Sequence, residues 1–178
     1  MENSKKVALG GIVTALSFIL MFLTGLISIG TYALPALAGI ALVIIVIELG
    51  NKWAWMVFAA VSILSVFFAA DKEAAVLFVF FFGYYPILKE NIERLSKKFL
   101  QYVIKFLVFN AAMIISFLVS VYILHIPSDS FIVFGISIPL VFLLVGNVVF
   151  LLYDYAVSEV ISTYINKFHH MMKRIMRL

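Results

Sequence analysis

Six apolar runs separated by short polar breaks set the pattern of this chain. They cover residues 7–29, 33–49, 53–70, 74–88, 99–124 and 132–157. A bilayer core about 30 Å thick takes roughly 20 apolar helical residues to cross. Helix is the state these runs predict, because unpaired backbone groups are too costly in lipid. The two-residue alternation of a membrane β-barrel is absent. The pattern therefore predicts an all-α polytopic membrane protein.

The fourth run, 74–88, is short enough for a buried helix, and charge decides that it is a span. The chain has 13 Lys and Arg. Six crossings put Lys5, Lys6, Lys52, Lys89, Arg94, Lys97, Lys98, Lys105, Lys167, Lys173, Arg174 and Arg177 on one side and only Lys72 on the other. Without the fourth crossing, the cluster from Lys89 to Lys105 joins Lys72 and the asymmetry collapses. The positive-inside rule then predicts six transmembrane helices with N-terminus and C-terminus both cytoplasmic.

Composition agrees with this class. The 178 residues are 65% hydrophobic and 12% charged, about half the charge of an ordinary globular domain. The net charge of +4 is accounted for by basic residues facing anionic headgroups, so no nucleic-acid partner is implied. Cysteine is absent, which removes disulfides and thiolate metal sites. The first apolar run is too long for a cleavable signal peptide. One membrane domain, 1–157, is followed by a basic amphipathic cytoplasmic tail, 158–178. The external breaks at 30–32, 71–73 and 126–130 are short, the last carrying the turn formers Pro127 and Asp129.

Two segments at the basic end are amphipathic. Between Lys89 and Lys98, Glu90 stands four before Arg94 and Glu93 four before Lys97, a spacing that supports a helix by ion pairing. Ile92, Leu95 and Phe99 fall on the other face, predicting a helical elbow on the inner membrane surface, either simply solvated or docking a partner. In the tail, Val160, Ile161, Tyr164, Ile165, Phe168, Met172 and Ile175 recur at helical spacing, with Lys167, His169, His170, Lys173 and Arg174 between them. Such a helix lies among the headgroups or extends the sixth span. The His169–His170 pair has no third ligand nearby, so no metal site is predicted.

Polar and small residues inside the spans are the candidate functional positions. Gly10 with Thr14, and Gly11 with Ala15, are small residues four apart on the first helix, suited to internal packing or to a membrane partner. The stretch from Phe80 to Pro86 predicts a kink at Gly83 and Pro86. Asn110 and Asn147 either hydrogen-bond each other or face a ligand. Glu48 has Lys52 four residues on and is expected to pair with it, whereas Asp154 has no such partner in sequence. Toward the outer side stand Ser28, Thr31, Tyr32, Ser65, Asp71, Glu73, Ser120, Tyr122, His125 and Asp129. No span carries a charge at its centre, which argues against a self-contained ion-coupled transporter. The spans are too apolar for an open channel. Catalytic motifs and paired intramembrane carboxylates are absent, so no enzyme and no cofactor are expected.

In size, topology and texture the whole chain resembles the substrate-binding S components of energy-coupling factor importers. The likeness rests on the Lys5-Lys6 start before an Ala- and Gly-rich helix, and on the segment from Gly146 to Tyr155 before a basic tail. The resemblance implies an S-component-like bundle in a bacterial plasma membrane, capturing a vitamin or similar micronutrient. It implies docking through Ala8, Gly11 and Ala15 on a transmembrane coupling subunit that works with cytoplasmic ATPases. It places the small-molecule ligand near Ser28, Tyr32, Ser120, Tyr122, His125, Asn110 and Asn147. Break 30–32 is short beside the ligand-covering loop of many members. The alternative reading is an integral-membrane scaffold or assembly factor of the bacterial envelope, with no transported ligand.

Overall fold

The computed structural model describes residues 2–27, 30–125 and 139–176. Ser28, the whole break at 126–130 and the start of the sixth apolar run lie outside them. Among the described residues every regular element is helical: α1 (Glu2–Leu23), α2 (Gly30–Leu49), α3 (Asn51–Phe68), α4 (Lys72–Leu77), a π-helical turn (Phe78–Phe82), α5 (Tyr85–Glu93), α6 (Lys98–Tyr122), α7 (Pro139–Lys167) and α8 (His169–Met176). Six helical stretches are long and apolar enough to cross a membrane; α4, the π-turn and α5 together make the fourth, Lys72–Glu93. The chain is thus a multi-pass membrane protein. Its second helix starts at Gly30, inside what the sequence shows as a break, and its fourth span reaches five residues past the apolar run.

The fourth span has the lowest hydropathy of the six and is the most enclosed, with 56% of its central window buried against 22% for the first, third and sixth. The two facts agree physically, because a helix surrounded by protein does not need a lipid-facing apolar surface. Two cores flank it. One joins Val13 and Met21 of α1, Leu42 of α2 and Val57 and Val61 of α3 to Phe78. The other joins Val43 of α2 and Phe81 and Tyr85 of the fourth span to Phe109 of α6 and Phe150 and Tyr153 of α7. The α2 helix serves both, and Ser17 donates across from α1 to the Ala38 carbonyl at 3.2 Å.

The expected kink in the fourth span takes the form of a π-turn, in which the Gly83 N–H reaches back five residues to the Phe78 carbonyl (2.8 Å). Pro86 has no N–H to give the Phe82 carbonyl four residues before it. That carbonyl lies against α2, 2.1 Å from where a Cβ on Gly39 would stand. Only glycine lets the two helices approach this closely.

The ends are tied by polar contacts. At one end the Asp71 side chain caps α4 through the Ala74 N–H (3.0 Å) and accepts from Thr31 (2.7 Å). Lys72 there donates to the Val66 carbonyl at the end of α3 (2.9 Å). At the other, basic end, α2 passes to α3 through the single residue Gly50, whose φ of 83° favours glycine. Asn51 donates to Asn91 across that end (3.3 Å).

Gly39→Ala is expected to cost about 1–3 kcal/mol, because a methyl would meet a backbone carbonyl that cannot rotate away. Gly11→Ala, with nothing within 4 Å of the added carbon, is expected to cost nothing. Thermal unfolding of the two variants in one detergent checks the contrast.

Candidate functional site: an ionic clamp between the last three spans

The densest polar arrangement in the described protein is built around Asp154. Its carboxylate accepts from Tyr85 Oη (2.6 Å), from Lys105 Nζ on both oxygens (3.0 and 2.9 Å) and from Lys89 Nζ. Glu93 completes the group, its Oε1 lying 2.7 Å from both lysine ammoniums. Two cations and two anions thus close on one another. Lys89 side chain is fully buried and that of Lys105 is 5% exposed.

Helical phase brings these residues inward. Tyr85 and Lys89 are four apart on α5, with Ile92 buried on the same side. On α6, Lys105 leads the buried series Phe109, Ala112, Ser116, Ser120, spaced by three and four. Asp154 follows Phe150 on the buried stripe of α7 and precedes Val157. An aromatic layer seals the clamp from the apolar side. Phe109 and Phe150 stack with centroids 4.8 Å apart, Tyr85 meets Phe150 at 5.4 Å, and Phe81 meets Tyr85 at 4.9 Å.

Both ammoniums are engaged within the clamp. Lys89 donates to Asp154 Oδ1 and to the Asp154 carbonyl and is ion-paired with Glu93; Lys105 donates to Glu93 and to both Asp154 oxygens. The geometry is that of a structural clamp holding the fourth, fifth and sixth spans together.

Several expected pairings change. Glu48 does not pair with Lys52, because Gly50 breaks the helix between them and cancels the four-residue spacing. Its carboxylate, 1% exposed, lies 3.0 Å from His169 Nδ1 and accepts from Tyr164 at 2.9 Å. Glu93 does not pair with Lys97, because α5 ends at Glu93 and the side chain turns inward to the clamp. Glu90 and Arg94 do pair. The elbow is therefore no separate surface helix: α5 runs to Glu93, a turn follows, and α6 begins at Lys98. Ile92 is buried, whereas Leu95 and Phe99 are exposed. Lys89 and Lys105 are buried rather than facing headgroups. Asp154, unpaired along the sequence, is the most heavily bonded carboxylate described.

The amides of Asn110 and Asn147 bond each other reciprocally at 2.9 and 3.0 Å, and each gives its second N–H to the carbonyl one turn back. Tyr32 donates to Glu73 at 3.1 Å. Ser120 is buried, while Tyr122 and His125 are exposed. Among the described residues, no hydrogen bond joins Tyr32, Ser120, Tyr122 and His125 to one another. On α1 the small residues divide. Gly10 is buried, with Val57 3.6 Å from its Cβ position, whereas Ala8, Gly11 and Ala15 are exposed. Sequence reasoning missed Tyr85 and the pairing of Lys89, Lys105 and Glu93 with Asp154. The available signal was helical phase, which sets Lys105 on the same stripe as Phe109 and Ala112.

Comparison with family models, with curated proteins and with solved structures finds no match to this chain.

Asp154→Asn leaves two buried ammoniums facing one carboxylate and is expected to destabilise the bundle by about 3–5 kcal/mol. Adding Lys89→Met restores neutrality around the remaining Lys105–Glu93 pair and is expected to recover part of that loss. Denaturant unfolding in mixed micelles measures both, and a double variant no more stable than Asp154→Asn would refute the charge balance described.

Proposed function

We propose that the chain is the membrane substrate-capture subunit of a multi-subunit, ATP-driven micronutrient importer of the bacterial plasma membrane. The observation that carries this reading is the division of small residues on α1. Gly10 packs inward, and Ala8, Gly11 and Ala15 leave a smooth exposed face with open space beside Gly11. Without a hydrophobic drive between helices in lipid, close approach at small residues is what lets one transmembrane helix hold another. The likeness to energy-coupling factor S components assigns this face to a transmembrane coupling subunit, with cytoplasmic ATPases supplying the energy. A capture subunit also benefits from the clamp, which fixes the last three spans while leaving the outer face of α1 open. Both termini lie in the cytoplasm in this reading, and the ligand enters from the opposite side.

A second reading, an envelope scaffold without a ligand, is favoured by the exposed Lys97 and Lys98 in the turn between α5 and α6. The two are separated by purifying the tagged protein from its native membrane and identifying the proteins and small molecules that accompany it. Under the importer reading, a shared transmembrane subunit and ATPases co-purify, and Gly11→Trp or Ala15→Trp removes them while the protein stays folded. Survival of the complex in both variants overturns that docking face. Loss of partners on charge reversal of Lys97 and Lys98 instead identifies the scaffold.

A further inference from the structure

The end of α7 does not simply leave the bundle. Tyr164 lies ten residues beyond Asp154, about 15 Å of helix, yet it is tied back to the end of α2. Glu48, in the last turn of α2, accepts from Tyr164 (2.9 Å) and lies 3.0 Å from His169 Nδ1. The apolar run of α2 ends there, so the clasp holds the tail at the level where the membrane boundary falls. The tail is also two-faced. Ile165, Phe168 and Met171 form an exposed apolar strip, each three residues from the last. Lys167, His170 and Arg174 are exposed on the other side of the helix. From Val160 to Leu178 the sequence has four Lys and Arg and no Asp or Glu (Lys167, Lys173, Arg174 and Arg177). A shallow hollow of 230 Å³, lined by Glu159, Val160, Thr163, Tyr164 and Phe168, opens beside the apolar strip.

Exposed apolar side chains held at the membrane boundary have water or lipid as their alternatives. A helix with an apolar strip on one side and cations without carboxylates on the other matches an anionic bilayer surface in both respects. We propose that residues 168–176, following the end of α7, lie along the bilayer surface and bind anionic phospholipid headgroups together with Lys167, fastened to α2 by Glu48. Phe168 and Met171 enter the acyl boundary, with the hollow beside Phe168 giving room for a chain segment. Lys167 and Arg174 face the phosphates. This arm is independent of whether the protein carries a ligand.

The absence of cysteine makes single-site labelling direct. Nitroxide labels are placed at Met171→Cys and, on the polar side, at Asn166→Cys in the full chain. The protein is reconstituted in phosphatidylcholine vesicles with and without phosphatidylglycerol. Accessibility to oxygen and to a water-soluble nickel chelate then reports depth. In anionic vesicles the Met171 label is expected to be reached by oxygen and shielded from nickel, and the Asn166 label the reverse. That signature at Met171 is expected to be lost in pure phosphatidylcholine, and in anionic vesicles when Lys167→Glu and Arg174→Glu are combined. Thermal unfolding confirms that the charge-reversed bundle is intact. A Met171 label in water in anionic vesicles overturns the proposal. So does one immersed equally in both vesicle types and indifferent to charge reversal.

Discussion

The bundle depends on the neutralisation of three buried charges, Lys89, Lys105 and Asp154, with Glu93 as a partly exposed fourth partner. A lone ammonium or carboxylate within a membrane protein is expensive, and Lys89, Lys105, Glu93 and Asp154 are tolerated because each meets opposite charge within hydrogen-bonding reach. Their value is geometric as much as energetic. Lipid offers little drive for one apolar helix to prefer another. Three buried charges, one on each of three helices, that must find one another admit very few arrangements of those helices.

The fourth span shows how this constraint and backbone chemistry act together. Pro86 and Gly83 interrupt regular hydrogen bonding, and the π-turn shifts the phase of the residues that follow. Tyr85 and Lys89 face α6 and α7, while Phe78, which opens the turn, and Ile87 beyond it pack with α1, α2 and α3. One span serves two cores because it is enclosed on both sides, Phe78 and Ile87 packing into the first core and Phe81 and Tyr85 into the second. Gly39 allows that span to lie close against α2, and α2 carries the packing from one core to the other.

The clamp and the exposed face of α1 lie on different parts of the molecule. The last three spans are joined by buried ionic contacts, whereas α1 packs on α2 and α3 through apolar side chains, with Ser17 donating to α2. At the basic end, Glu48 performs a smaller version of the clamp's role by fastening the C-terminal arm to α2.

Sequence by itself determined the class. Run lengths and charge asymmetry gave six spans, and the weak fourth run was recovered because lysines cannot be spread evenly across a membrane. Glycine and proline marked the kink, and the asparagines were visible as partners. The tertiary structure decided what the charges do. Asp154 lies 49 residues from Lys105 and 65 from Lys89, so no local spacing could announce their pairing. The local pairs expected of Glu48 and Glu93 failed because helix ends at Gly50 and Glu93 removed the periodicity on which they relied. Hydrophobic length is a property of each helix alone and is readable in one dimension. The partner of a buried charge is set by which faces meet, and that exists only once the helices have packed.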